Sequence, residues 1–107
     1  MTSTSVPEST RLGLLARIEA KPEHAEDVEE LLTGALALAR QEPGTSVWFA
    51  LRLGPTTFGV FDAFGNEEAR TAHLQGPIAA ALTENAPKLF AAPPEIVPVE
   101  ILAAKLA

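Results

Sequence analysis

At 107 residues, with 47% hydrophobic and 21% charged side chains, the chain has the size and make-up of a single globular domain. A formal net charge of -6 excludes the clustered basic surface that binds phosphate backbones, so no nucleic-acid partner is expected; the absence of cysteine excludes disulfides, thiolate nucleophiles and thiolate metal sites. No apolar run approaches the roughly 20 residues that span a bilayer, and the first residues have neither basic nor apolar leader character, so no membrane is expected and the default address is cytoplasmic.

Residues 1–10, MTSTSVPEST, are too polar to bury and read as a mobile tail ahead of a domain over 11–104. From 12 to 20 the apolar residues Leu12, Leu14, Ala16, Ile18 and Ala20 fall on every second position, the pattern of a half-buried strand. Lys21-Pro22 breaks it, and Pro22 suits a first helical turn because the N–H it lacks has no intrahelical partner there. Early acids at Glu23, Glu26 and Asp27, then Val28, Leu31, Leu32, Ala35, Leu38 and Ala39 at three- and four-residue spacing, predict an amphipathic helix to about Gln41. Gly34 weakens it locally by about 1 kcal/mol.

After the turn EPGT, residues 46–53 and 57–64 alternate in apolar character around Gly54-Pro55-Thr56, which predicts a β-hairpin. Asn66 offers a cap, with Glu67 and Glu68 favourably placed for the dipole of a second helix. Gly76-Pro77 interrupts that helix and 78–90 continues it, with Pro87 allowing at most a kink. Residues 95–102 read as a last strand, which Pro98 demotes toward an edge.

The order β-α-β-β-α-β predicts an α+β, ferredoxin-like fold: an antiparallel four-stranded sheet with both helices on one face. Val47, Phe49, Leu51 and Leu53 alternate with Trp48 and Ala50 in the second strand, as Phe58, Val60 and Phe64 do with Phe61 and Ala63 in the third. Both faces are thus too apolar for water, which predicts a homodimer packed sheet to sheet. A domain this small buries only roughly two thirds of its unfolded surface, so contact between copies would add stability.

Taken together, the QEPG turn with Thr45 after the first helix, the aromatic hairpin, Asp62 in the third strand, and Glu68-Ala69 and His73-Leu74 in the second helix resemble a known family. They are similar to the antibiotic biosynthesis monooxygenase, quinol monooxygenase-like, domains of the dimeric α/β-barrel superfamily, over about residues 11–104. The resemblance implies a dimeric α/β barrel and several activities: cofactor-free oxygenation of polycyclic quinols, haem degradation or isomerisation of signal molecules. Haem-degrading members resemble one another in an Asn on strand one and a Trp and a His on helix two. Ala16, His73 and Thr83 stand at those places here, and the only Trp is Trp48. The resemblance therefore implies a protein without a cofactor.

His73, on a helix face with Ala69, Ala72 and Leu74, could work near neutral pH as a base or hydrogen-bond donor. It could equally be a core histidine bonded to a carbonyl or to Asp62. Trp48, Phe49, Phe61 and Phe64 could line a flat slot for a small aromatic ligand, although alternation makes each a natural core residue. Arg52 and Asp62 are charges in apolar strands. A cross-strand ion pair explains both, while Arg52 could instead hold a phenolate or carboxylate and Asp62 could orient His73. His24 with Glu23 and Asp27 reads as a solvated helix start rather than a metal site, and no glycine-rich loop supports a nucleotide. The expected function is cofactor-independent monooxygenation of a small electron-rich aromatic such as a quinol or polycyclic phenol. The alternatives are a non-catalytic dimer that binds a small ligand and a cofactor-free lactone or keto-enol isomerase.

Overall fold

The computed structural model describes residues 6–106. Strand β1 is Leu12–Glu19, helix α1 Ala25–Gly34, helix α2 Leu36–Ala39, strand β2 Thr45–Arg52, strand β3 Thr57–Phe64, helix α3 Glu67–Leu74, helix α4 Pro77–Leu89 and strand β4 Glu95–Glu100. The four strands form one sheet in the order β2-β3-β1-β4, all neighbours antiparallel, which is the ferredoxin-like topology. Within one chain the sheet is open, with β2 and β4 as its edges, and is not a closed barrel.

Register assigns the faces. Trp48 opposes Asp62, Asp62 opposes Leu14 and Leu14 opposes Pro98, so these four side chains share a row across the sheet. The next row on that face is Ala50, Val60, Ala16 and Ile96. This face carries the helices: Ile18 and Val28 are 0% exposed, and Leu32, Phe58, Leu82, Leu89 and Phe90 close the core around them. Fully burying one such side chain contributes roughly 1.5–3 kcal/mol, which is why the alternation in β1 and β3 fixes their register so firmly.

The opposite face has no helix over it. Phe49, Phe61, Leu15 and Val97 form a continuous row there, and Phe49, Leu15 and Val97 are 52%, 46% and 50% exposed. Gly13 lets Phe61 lie close across β1, since a Cβ at Gly13 would sit 2.9 Å from the Asp62 backbone oxygen and 3.3 Å from the Phe61 ring.

Three local expectations are corrected. Glu8–Thr10 is not part of a mobile tail but a 3₁₀ turn whose Thr10 is buried, with its hydroxyl donating to the Pro7 carbonyl at 3.1 Å; residues 1–5 of that tail lie outside the described residues. The first long helix is divided after Gly34, a poor helix former: the Ala35 N–H is shared between the carbonyls of Leu31 and Leu32, a 3₁₀-like tightening between α1 and α2. Strand β4 stops at Glu100, after which residues 101–106 carry no regular structure. Elsewhere local chemistry acts as read: the Asn66 side chain accepts from the Ala69 N–H at 2.8 Å, and Pro77 opens α4 behind Gly76.

Candidate functional site

Helix α3 begins at its Asn66 cap and runs for two turns over the end of β3, which places His73 above Asp62. The imidazole Nε2 lies 2.9 Å from Asp62 Oδ2, and Nδ1 lies 2.6 Å from Glu42 Oε1. His73 is 7% exposed and Asp62 2%, so the imidazole is held between two carboxylates inside the protein. The Phe64 ring leans against it at 5.2 Å between centroids.

Glu42 comes from the EPGT turn between α2 and β2. Its backbone carbonyl accepts from the Thr45 N–H and its Oε1 accepts from the Thr45 hydroxyl at 2.7 Å, so the turn orients its own acid. Gly44 is what brings the turn down onto α3, because a Cβ there would lie 2.7 Å from the Ala69 Cβ. Sequence reasoning quoted Glu42 within a turn motif and gave it no role. The available signal was an acid placed directly before Pro-Gly, where a turn needs no charge.

Burial is the largest influence on the imidazole and pushes its pKa down. The contacts to the Asp62 and Glu42 carboxylates, with their negative charge, act the other way and together prevail, so the His73 pKa is raised above the ordinary 6.5. Two ionised carboxylates are acceptors only, and they are both satisfied when the ring carries two N–H donors. Each ring nitrogen of His73 faces a carboxylate oxygen, so neither nitrogen is open to a ligand.

Beside this cluster lies a cavity of about 30 Å³, walled by hydrocarbon from Leu14, Ala16, Val60, Ile78 and Leu82, with Asp62 and His73 as its polar members. That volume admits about two waters at roughly 10–15 Å³ each. Leu74 and Ile96 close it toward solvent and are 41% and 43% exposed. Among the described residues, the buried polar atoms without a hydrogen-bond partner are Asp62 Oδ1, Glu42 Oε2 and the Trp48 indole Nε1. Asp62, one of the residues lining this cavity, thus has one oxygen held by His73 and one buried oxygen without a partner.

The other expected site residues are dispersed. Phe49 and Phe61 lie on the open face, Trp48 and Phe64 on the helix face, so the four do not form one slot within a chain; strand alternation separates them. Trp48 packs under α2 and α4 with Ala35, Ala39 and Ile78, and Phe64 is core at 0% exposure. The expected cross-strand pair of Arg52 with Asp62 does not form, because the register sets Arg52 opposite Phe58 and Trp48 opposite Asp62. Arg52 instead pairs with Glu29 of α1 and stacks over Phe58 at 4.8 Å, away from His73. His24 bonds Asp27 at 2.7 Å on the surface, and the described residues contain no group of three or more side chains able to hold a metal. A haem does not fit the residues present: both His73 nitrogens face carboxylates, Ala16 is a cavity wall, and Thr83 is an exposed residue of α4.

The comparisons agree with this architecture. A structure from Nitrosomonas europaea, NE2512, a protein of unknown function, is 53% identical with a TM-score of 0.91, over 94% of this chain and 98% of that one. PA3566 from Pseudomonas aeruginosa is 25% identical with a TM-score of 0.76, over 92% of this chain and 100% of its own. Rv0793 from Mycobacterium tuberculosis shares the fold at 16% identity and a TM-score of 0.77, over 89% and 98% of the two chains. No curated protein matches the chain. The family model for antibiotic biosynthesis monooxygenase matches residues 11–85, the span from β1 into α4 that holds the Glu42–His73–Asp62 cluster, and the chain belongs to that family.

Proposed function

We propose that the protein is a cofactor-independent monooxygenase of a small electron-rich aromatic hydroxy compound, of the quinol or polycyclic phenol class. The observation that supports the reading is Asp62: a buried carboxylate in the lining of a largely hydrocarbon-walled cavity, with one oxygen on the His73 ring and the other without a partner. A substrate hydroxyl meeting Oδ1 would pass its proton to Asp62. The resulting delocalised anion is electron-rich enough to give one electron to dioxygen. Recombination of the two radicals forms a C–O bond at a hydrogen-bearing ring carbon; the peroxide takes back the proton held by Asp62, and loss of water, which carries off the distal oxygen and the ring hydrogen, leaves a carbonyl there. One oxygen atom ends in the product and the other in water, with the substrate as the only reductant. The protein's share is to exclude water, orient the ring and hold the developing charge beside a fixed imidazolium.

In this reading His73 steadies charge and Asp62 takes the proton. The cavity must widen to admit a ring, and Leu74 and Ile96 are the side chains between it and solvent. Phe49, Phe61 and Leu15 serve the dimer, covering the open sheet faces of two copies against each other, while Trp48 and Phe64 back the site from within the core. Arg52 contributes to the helix–sheet contact and takes no part in the chemistry.

The test is oxygen uptake on a panel of quinols, anthrones and naphthols, with and without air, for the native protein and Asp62→Asn. Asn keeps the shape of the carboxylate and removes its basicity. General-base steps of this kind contribute about 10²–10⁴-fold, and a loss of that size in the folded variant is expected. Turnover that continues without oxygen would assign an isomerase instead. Binding of panel members with no turnover by the native protein would assign a ligand-binding protein.

A further inference from the structure

We propose that Glu42 is a positioning residue of this site: from the EPGT turn it fixes both the orientation and the charge of His73, and so leaves Asp62 Oδ1 as the oxygen that meets the ligand. The inference rests on the proposed reaction for its consequence, although the hold of Glu42 on His73 is a property of the free protein.

The geometry is specific. An imidazole can turn over about its Cβ–Cγ bond, which exchanges each nitrogen for a ring carbon. With Glu42 Oε1 at 2.6 Å from Nδ1 and Asp62 Oδ2 at 2.9 Å from Nε2, only one of the two orientations gives both carboxylates an N–H. Glu42 is itself restrained, by the Thr45 hydroxyl at 2.7 Å and by the approach of Gly44 to Ala69. A Cβ at Gly76 would lie 3.4 Å from Glu42 Oε2, so the connection between α3 and α4 closes over the same carboxylate. The charged groups facing the ring are Asp62 from β3 and Glu42 from the turn. The α4 residues at the cavity, Ile78, Ala79 and Leu82, are apolar, and Arg70 on α3 is committed to Glu67 and to the carbonyls of Gly13 and Val99.

A neutral ring has a single N–H and would turn a lone pair toward one of the two carboxylates. The second acid therefore sets the protonation state as well as the orientation. Removing the charge while keeping the acceptor separates these two effects, which is what Glu42→Gln does. Glu42→Ala removes both.

The test is ¹⁵N NMR of the ring nitrogens of His73 across a pH titration of the ligand-free protein, for native, Glu42→Gln and Glu42→Ala. In the native protein both nitrogens are expected in the N–H form up to a pH above that of an ordinary histidine. In Glu42→Gln the ring should lose its proton at lower pH and settle into one tautomer. In Glu42→Ala the tautomers should mix. In oxygen uptake, the alkaline limb of the kcat–pH profile should move to lower pH in Glu42→Gln while KM stays within about threefold, a split that loss of packing alone would not give. A His73 titration unchanged in Glu42→Gln overturns the proposal, whatever the activity. No oxygen uptake by any form, with the expected NMR change present, overturns the proposed reaction and leaves the role of Glu42 on His73 standing. Because glutamine nearly matches glutamate in shape, the titration stays readable even where Glu42→Ala fails to fold.

Discussion

Replacing His73 by leucine should cost far more stability than any surface change, because of what it leaves behind. Asp62 is 2% exposed, and with the imidazole gone its Oδ2 loses its cation while Oδ1 already has no partner. Glu42 keeps the Thr45 hydroxyl but loses its only ionic contact among the described residues. Breaking a buried ion pair from one side costs about 3–5 kcal/mol, a large part of the roughly 5–15 kcal/mol that holds a domain of this size together. At about 4–8 °C per kcal/mol the midpoint should fall by at least about 12 °C, followed by circular dichroism near neutral pH. The double variant Asp62→Leu/His73→Leu should recover much of the loss, since replacing a buried charge pair by hydrocarbon is often neutral or stabilising. A loss below about 1 kcal/mol, or a double variant no better than the single one, would refute the view that His73 neutralises buried carboxylates.

The same imidazole gives a pH dependence whose sign is set by its raised pKa. The folded ring keeps its proton where the unfolded one releases it, so its contribution is fully present below about 6.5 and is lost as the pH rises through the higher folded value; urea titrations should show the gap between native protein and His73→Leu shrinking as the pH is raised above about 6.5. Gly44→Val should cost about 1–3 kcal/mol, because its Cβ would fall 2.7 Å from that of Ala69, and it should weaken the hold on His73 as the turn is pushed from α3, read by thermal melting and by the His73 NMR signals together. Phe49→Asp/Leu15→Asp, at residues 52% and 46% exposed, should leave the fold intact by circular dichroism and convert a dimer to a monomer in analytical ultracentrifugation; a native protein already monomeric at micromolar concentration would remove the sheet-to-sheet dimer.

Legibility in the sequence followed how local each determinant was. The 57–64 strand, with its alternation and its flanking turn and cap, is read to the residue, because every signal that defines it lies within ten positions. The division at Gly34 is visible only as a weakness: whether a glycine breaks a helix depends on what the two halves must pack against, and here α1 carries Val28 and Leu32 into the main core while α2 packs Ala39 against Ile78 and Trp48. The Arg52–Asp62 pair failed for a different reason. Both residues lie on adjoining strands, as the sequence predicts, but the register puts them in different rows, and Glu29 on a helix reaches Arg52 first. His73 with Asp62 was legible as a pair; Glu42, 31 positions away from His73 on a turn, was not, because nothing local distinguishes an acid that caps a turn from one that reaches across to a helix.

That third member changes the electrostatics of the proposed reaction. A neutral histidine acting as base would create an ion pair from neutral partners inside a hydrocarbon cavity, which is costly unless the new charges are matched at once. In the proposed reaction Glu42 and Asp62 flank a protonated His73, and that cluster carries one net negative charge before any ligand arrives. When a substrate hydroxyl gives its proton to Asp62, that negative charge is not created but moved, from a compact carboxylate onto a ring where it is spread over many atoms. The imidazolium remains alongside throughout, held by Glu42 from behind, so no new charge has to be buried for the anion to form. A substrate that could not delocalise the charge would lose this advantage, so the proposed reaction predicts faster turnover of aromatic hydroxyls than of aliphatic alcohols in the same oxygen-uptake assay.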